Sequence, residues 1–359
     1  MRVALVGPSR FGLGEPFAGG LEAHTASLAR HLHDHGHDVT VYAGPTGAPH
    51  DHPFPVIPII HRSLTAARRL DTSNPAWFAK LENEGYARIS EIVHQPTRFD
   101  VIHNNSLHRR LVDADRSRSR LIHTLHCPPF PTLRAAHVRL GRRHPDRTVI
   151  AVSKRLAAAW GTAATTVVHN GVDLHHWRVL RRDHTSRGQM CAWAGRIIAD
   201  KAPHLAIDAA LAADRHIALA GPVQDAAYFD RMIRPRLRDD AVTWLGPLDA
   251  VELRRLFNDA AVGLMTPVWD EPFGLVAAEM LACGLPIASF DMGAIGEFTT
   301  PAIVKLAAPG DVDGLARAID AAHTVDRAEC RRWAEQELSI TTMTARYVAL
   351  YEELLESRR

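Results

Sequence analysis

Two glutamates eight residues apart, Glu271 and Glu279, bracket the stretch Glu-Pro-Phe-Gly-Leu-Val-Ala-Ala-Glu. The apolar run Ala261 to Met265 reads as a buried strand, Pro267 and Pro272 hold the next loop open, and Phe273 to Cys283 carry helical periodicity that Gly284 closes. Pro286 then opens another strand. Gly274, just inside the helix start, lets a ligand approach the backbone, and the first N–H groups of the helix have no intrahelical acceptor. That end favours an anion. With a helix beginning near Phe273, Glu279 lies nearly two turns in, placed to receive hydroxyls, while Glu271 stays on the loop above. The pattern suits a ligand with a phosphate at one end and hydroxyls beside it. Taken singly, either glutamate also fits an ordinary solvated surface helix.

A second pair lies upstream. The chain has only four lysines, Lys80, Lys154, Lys201 and Lys305, against 38 arginines, so Lys201 in Gly195-Arg196-Ile-Ile-Ala-Asp-Lys201 stands apart from the compositional background. An arginine and a lysine five residues apart between a strand (Met190 to Ala194) and a helix (from His204) can clamp a diphosphate, one as a fork and the other as a point charge. A solvated pair is the alternative.

The elements that must carry these residues alternate strand and helix. Arg2 to Gly7 is a buried strand, the loop from Pro8 ends at Gly19-Gly20, and Leu21, Ala26, Leu28, Ala29 and Leu32 give an amphipathic helix before the strand Val39 to Tyr42. This βαβ opening puts a glycine turn at the carboxyl end of a strand, although Gly12-Leu-Gly14 is no dinucleotide fingerprint. Strands at 99–103 and 121–126 end in His103-Asn104-Asn105-Ser106 and in His126. Residues 43–100 are irregular apart from a helix-like stretch from Pro75 to His94, and read as the variable acceptor side. Strands at Ile217 to Ala220 and Val242 to Leu245 end in Gly221 and Gly246, and helices are expected over about 312–335 and 341–356.

On these residues the chain resembles the retaining glycosyltransferases of family 4. The Glu271 to Glu279 block is near-verbatim, and the double glycine before the first helix, the Asn170-Gly-Val-Asp173 block and the Arg196/Lys201 pair match as well. The resemblance implies an α/β protein of the GT-B fold, with two Rossmann-like, doubly wound parallel-sheet domains facing a central cleft. It places an acceptor domain at 1–180, a nucleotide-sugar domain at 181–340, a hinge near 174–188, and a last helix, about 341–359, that crosses back onto the first domain. It implies that Glu279 holds the nucleotide ribose, that Glu271 contacts hydroxyls of the transferred sugar, and that the backbone at Phe273, Gly274 and Leu275 contacts the donor. Arg196 and Lys201 would bind the diphosphate, Gly19 and Gly20 would approach the donor diphosphate or the acceptor, Gly221 would line the donor, and His126 would lie by the anomeric carbon. His103 and Asn104 are candidates on the acceptor side. The activity implied is retaining transfer of a hexosyl or N-acetylhexosaminyl group, UDP-linked by preference, to a hydroxyl. No metal and no cofactor are expected, because Arg196, Lys201 and the helix end carry the positive charge. A nucleotide-sugar 2-epimerase of the same architecture and a non-catalytic nucleotide-sugar-binding protein compete with this reading. The complete glutamate motif counts against the first, and the presence of Lys201 and Glu279 against the second.

Composition sets the outer bounds. With 359 residues, 46% hydrophobic and 23% charged, the chain can build two cores. No run approaches the ~18 apolar residues of a membrane span, and the start lacks a signal-type apolar region, so a cytoplasmic protein is expected. Cys127, Cys191, Cys283 and Cys330 are scattered, as reduced thiols would be. The tract His31-Leu-His33-Asp-His35-Gly-His37 is the best metal candidate among 22 histidines, but it suits the negative end of a helix closing at Gly36. Residues 1–180 carry 22 Lys+Arg and 14 Asp+Glu, whereas the remainder is acidic. Arg109-Arg110, Arg116 to Arg120 and Arg139 to Arg147 suggest an anionic acceptor or peripheral contact with an anionic membrane face. A solvated arginine-rich exterior explains them equally well. No nucleic-acid motif accompanies the charge.

Overall fold

Val3, Ala4, Leu5 and Val6 are all buried, as a strand covered on both faces requires. In the computed structural model, which describes residues 1–44, 52–60, 75–93, 95, 98–116, 120–180 and 189–357, they form the middle of β1 (Arg2–Val6). Parts of the acceptor-side stretch, His94, residues 117–119 of the arginine cluster and 181–188 of the expected hinge lie outside the described residues. The chain divides into two compact units, Met1–His169 with Met343–Arg359, and Asn170–Thr342.

The first unit alternates β1, α1 (Gly20–Asp34), β2 (Asp38–Ala43), β3 (Val56–Pro58), α2 (Pro75–Val93), β4 (Val101–Asn104), α3 (Arg109–Ala114), β5 (Leu121–Leu125), α4 (Pro131–Arg143), β6 (Val149–Ala151), α5 (Lys154–Trp160) and β7 (Thr166–Val167). Its sheet runs β3-β2-β1-β4-β5-β6-β7 with every pair parallel. Connections leave β1 toward β2 and β4 toward β5, so the switch point lies between β1 and β4. α1 ends as the histidine tract implies. Gly36, at φ +82°, lets its N–H and that of His37 return to the carbonyls of His33 and Leu32. The C-terminal helix Ile340–Glu356 contributes its residues from Met343 onward to this unit, with Tyr347 and Tyr351 fully buried.

The second unit contains β8 (Cys191–Ala194), α6 (Pro203–Ala212), β9 (Ile217–Ala220), β10 (Val242–Trp244), α7 (Ala250–Asp259), β11 (Val262–Met265), α8 (Leu275–Ala282), β12 (Ile287–Phe290), β13 (Val304–Ala307), α9 (Val312–His323) and α10 (Arg327–Glu337). Its parallel sheet is ordered β10-β9-β8-β11-β12-β13, which puts the switch point between β8 and β11. The helix expected over 312–335 is broken in two, because the Asp326 side chain accepts from Ala328 N–H at 2.9 Å and starts a new helix there.

The chain leaves the first unit at 169/170 rather than after 180. The intervening residues are already stitched into the second unit. Val172 exchanges backbone hydrogen bonds with Leu338 (2.8 Å) and Ile340 (3.0 Å), Arg331 Nη1 donates to Trp177 O (2.7 Å), and Leu180 N–H donates to Asn258 Oδ1 (2.7 Å). Gly171 is required at this clasp, since a Cβ there would run into the Ser339 backbone.

Candidate active site

At the switch point of the second unit, the loops that follow β8 and β11 are tied together by main-chain and buried polar contacts. Thr266 Oγ1 donates to the carbonyls of Lys201 and Ala202, both at 3.0 Å, and accepts from Trp193 Nε1 at 3.2 Å. Val268 N–H donates to Asp200 O at 2.9 Å. This lacing brings Lys201, on a single 3₁₀ turn (Ala199–Lys201), to Glu271, and the two side chains form an ion pair. Trp269 Nε1 donates to the same carboxylate oxygen at 3.1 Å, and the Lys201 ammonium lies 5.6 Å from the centre of the Trp269 ring. Both Lys201 and Glu271 keep part of their surface open, at 22% and 14% of the side chain.

Glu271 is fixed from behind by a glycine. Gly293, at φ +71°, packs so closely on the Glu271 backbone that a Cβ would collide with it, and Ala294 N–H donates to Glu271 O at 3.1 Å. Gly274 is in the left-handed region (φ +94°) and forms the N-cap of α8, with no side chain capping the helix. α8 therefore begins at Leu275 and not near Phe273, which puts Glu279 little more than one turn into the helix instead of nearly two. Phe273 is core, 2% exposed and stacked on Phe298 with ring centroids 4.3 Å apart, so only its backbone can serve a ligand.

Arg196 and Lys201 are each engaged separately. Arg196 Nη1 donates to Gln224 Oε1 at 2.8 Å, on the loop after β9. That loop and the one after β8 run side by side, with Ile197 N–H to Pro222 O at 2.9 Å. Gly221, at φ +142°, sits so close to the Gly195 carbonyl that no side chain fits there.

The first unit gathers its candidates at the end of β4, the end of β5 and the start of α1. Gly19 is the N-cap of α1 and Gly20 its first residue. One turn on, His24 is 3% exposed, with both ring nitrogens unpartnered among the described residues, and burial lowers its pKa to about 4. His126 is half-buried, its ring centroid 4.8 Å from that of His24, and its Nε2 lies 2.8 Å from Asn105 Oδ1. Burial, then the neighbouring His24 and His103, hold the His126 pKa well below 6.5.

The two acceptor-side candidates lie in the interior of the first unit. His103 is fully buried, with Nδ1 at 2.7 Å from the Tyr351 hydroxyl and Nε2 at 2.7 Å from Thr124 Oγ1. Asn104 is likewise buried, contacting His123 Nδ1 through Nδ2 at 3.0 Å and accepting from the Ser106 amide (3.1 Å) and hydroxyl (2.7 Å). Both are almost wholly buried and spend these hydrogen bonds within the first unit. Arg147, expected among surface arginines, is buried and pairs at 2.8 Å with Asp115, which also contacts His123 Nε2 at 3.1 Å. Among the described residues no group of three or more His, Cys, Asp or Glu could hold a metal, the His31 to His37 tract included. The residues that sequence reasoning passed over are Asn105, His24, Trp269, Gln224 and Thr266. Only Trp269, two residues before Glu271, carried a local signal.

Both halves of the chain match known families. The model for glycosyltransferase family 4 matches residues 18–176, and that for glycosyl transferases group 1 matches residues 184–337. The chain belongs to glycosyltransferase family 4. It is similar to the D-inositol 3-phosphate glycosyltransferase of Mycobacterium marinum (strain ATCC BAA-535 / M), 28% identical over 363 residues, covering 89% of this chain and 77% of the relative. Among solved structures, sucrose-phosphate synthase from Thermosynechococcus elongatus superposes with a TM-score of 0.78 at 18% identity over 99% of each chain. Anabaena HepE in complex with UDP and glucose gives 0.74 at 20% identity over 98% of this chain and 100% of that one. With its seven-stranded and six-stranded parallel sheets, this family 4 glycosyltransferase has the GT-B fold. No helix among the described residues is long and apolar enough to cross a membrane.

Proposed function

We propose that this glycosyltransferase retains anomeric configuration and moves a hexosyl or N-acetylhexosaminyl group from a UDP-linked donor to a hydroxyl of an anionic acceptor, without a metal. The observation that carries the reading is the Lys201–Glu271 pair at the β8/β11 switch point, in front of the uncapped N-terminus of α8. Lys201, Arg196 and the first N–H groups of α8 put positive charge where a departing diphosphate gains negative charge, and preorganised charge of this kind is where enzymes usually gain most of their rate. Glu271, oriented by Trp269 and Gly293, receives hydroxyls of the sugar, and Glu279 on α8 receives those of the ribose. In this reading the leaving phosphate oxygen takes the acceptor hydroxyl's proton as the acceptor oxygen bonds to the anomeric carbon and the carbon–phosphate-oxygen bond breaks. A UDP-linked donor is supported by the likeness to HepE, whose solved complex holds UDP and glucose. An anionic acceptor is supported by a relative that is named for an inositol phosphate. The exposed face of α4 supports it too, with Arg134, Arg139, Arg142 and Arg143 beside exposed Phe130 and Val138. That face equally suits peripheral contact with an anionic membrane, which cosedimentation with phosphatidylserine vesicles in low and high salt would read out.

Thermal unfolding with UDP, GDP, ADP and TDP and their sugars tests the donor, because a ligand at a hundred times its dissociation constant adds ~2.7 kcal/mol. A shift with UDP and one UDP-sugar, followed by an α-linked product from an α-linked donor in the presence of EDTA, supports the reading. Silence across the panel overturns it.

A further inference from the structure

We infer that Asn105 is a positioning residue that fixes the ring of His126 in one tautomer, with the proton on Nε2 and the lone pair on Nδ1 available to a substrate hydroxyl. The inference rests on the proposed place of His126 beside the transferred sugar. A side-chain amide oxygen can only accept, so Asn105 Oδ1 at 2.8 Å from Nε2 requires Nε2 to carry the hydrogen. Among the described residues Nδ1 has no hydrogen-bond partner, and the ring is only half-buried. A tautomer is meaningful only for a neutral ring, and burial together with the two histidines that face it keeps His126 neutral near pH 7.

The surrounding elements present neutral groups to this ring. From α1, His24 packs 4.8 Å away and is itself neutral through burial. From β4, His103 spends both nitrogens on Tyr351 and Thr124. From the C-terminal helix, Tyr347 lies 6.4 Å from His24 and 4.8 Å from His103.

Asn105 is held rigidly enough for the task. It is fully buried at the β1/β4 switch point, where its N–H donates to Val6 O at 2.8 Å. Among the described residues its Nδ2 is buried without a partner, as are both nitrogens of His24. Buried polar atoms left unpaired destabilise a fold, so a residue placed here for packing alone would be apolar. Asn105 carries that cost, with its acceptor aimed at His126.

The test uses the full-length chain labelled with ¹⁵N-histidine, with the His126 signals assigned through His126→Gln. The expected result at pH 7.5 is a protonated Nε2 and an unprotonated Nδ1 in the wild type, a mixed or reversed tautomer in Asn105→Leu, and an upward-moved His126 titration in Asn105→Asp, whose carboxylate favours the imidazolium. Should Asn105→Leu fail to fold, the nearly isosteric Asn105→Asp carries the test. A wild-type ring protonated on Nδ1, or a titration that Asn105→Asp leaves in place, overturns the inference. Turnover separates it from the reading beneath it. Asn105→Leu should lower kcat at least about tenfold with donor KM within about threefold. Ring shifts that change as expected while kcat does not would sustain the role of Asn105 and remove His126 from the sugar.

Discussion

Lys201 and Glu271 stand 70 residues apart in the sequence and form an ion pair in which Trp269 donates to the same carboxylate oxygen. In the proposed function, a lysine for the diphosphate and a glutamate for sugar hydroxyls hold each other in place, and donor binding would have to separate them. Lys201→Ala and Glu271→Gln should each lower kcat/KM by about 10²-fold or more. Because the two side chains are partners, the double variant should lose less than the product of the single losses, which a double-mutant cycle on donor turnover measures. Full multiplicativity would mean that the pair is incidental.

Gly293 tests how tightly that glutamate must be held. Its positive φ and its contact with the Glu271 backbone leave no room for a methyl group, so Gly293→Ala should displace the loop rather than the core. The expected outcome is a loss of turnover of about tenfold or more with a fall in melting temperature of only a few degrees. Circular dichroism and donor kinetics on the same preparation would show whether the two separate.

The buried pair of Arg147 and Asp115 predicts a large stability effect. Arg147→Met leaves the Asp115 carboxylate buried without its ion pair beside His123, and such losses run at roughly 3–5 kcal/mol. Urea unfolding, followed in the first unit, would reveal it, and a change below about 1 kcal/mol would show that the carboxylate had found water or another partner.

Acid should unfold this chain early. His24 titrates near 4 in the folded state against 6.5 for an ordinary solvated histidine, His108 likewise near 4, and His137 near 3, each mainly through burial. As pH falls below 6.5 the unfolded chain takes up protons that these buried rings refuse, so stability is complete above about pH 7 and declines steadily toward about pH 4. His24 alone accounts for up to about 3 kcal/mol of that decline. The midpoint of urea unfolding between about pH 4.5 and 7.5 should therefore have a steep slope that His24→Phe makes shallower. An unchanged slope would place His24 in contact with water.

Much of this was legible where chemistry and chain order coincide. The Glu271 to Glu279 block occupies one loop and one helix, so its residues are neighbours whatever the rest of the chain does. The alternation of strands and helices likewise announced parallel α/β layers, and the resemblance to family 4 divided them into two doubly wound domains. Legibility failed where a single residue's direction decides the matter. Asn104 and Asn105 are adjacent at a strand end, where successive side chains point to opposite faces, and composition cannot say which one reaches His126. Arg147 looked like the tail of a basic surface run because an arginine's burial depends on Asp115, 32 residues away. The start of α8 was misplaced by two residues because Gly274 adopts a left-handed cap that periodicity does not encode.

The C-terminal helix has a bearing on how the chain is made. Its tyrosines complete the surroundings of His103, a residue on β4, across 248 positions of sequence. On a ribosome, the strands of the first unit emerge long before Tyr347 and Tyr351, and until those arrive the His103 ring lacks its Nδ1 partner and a wall of the core stands open. The part synthesised first is consequently the part finished last, and a nascent chain halted between Val167 and Met343 should expose this surface to chaperones and proteases even though all strands of its sheet have been made.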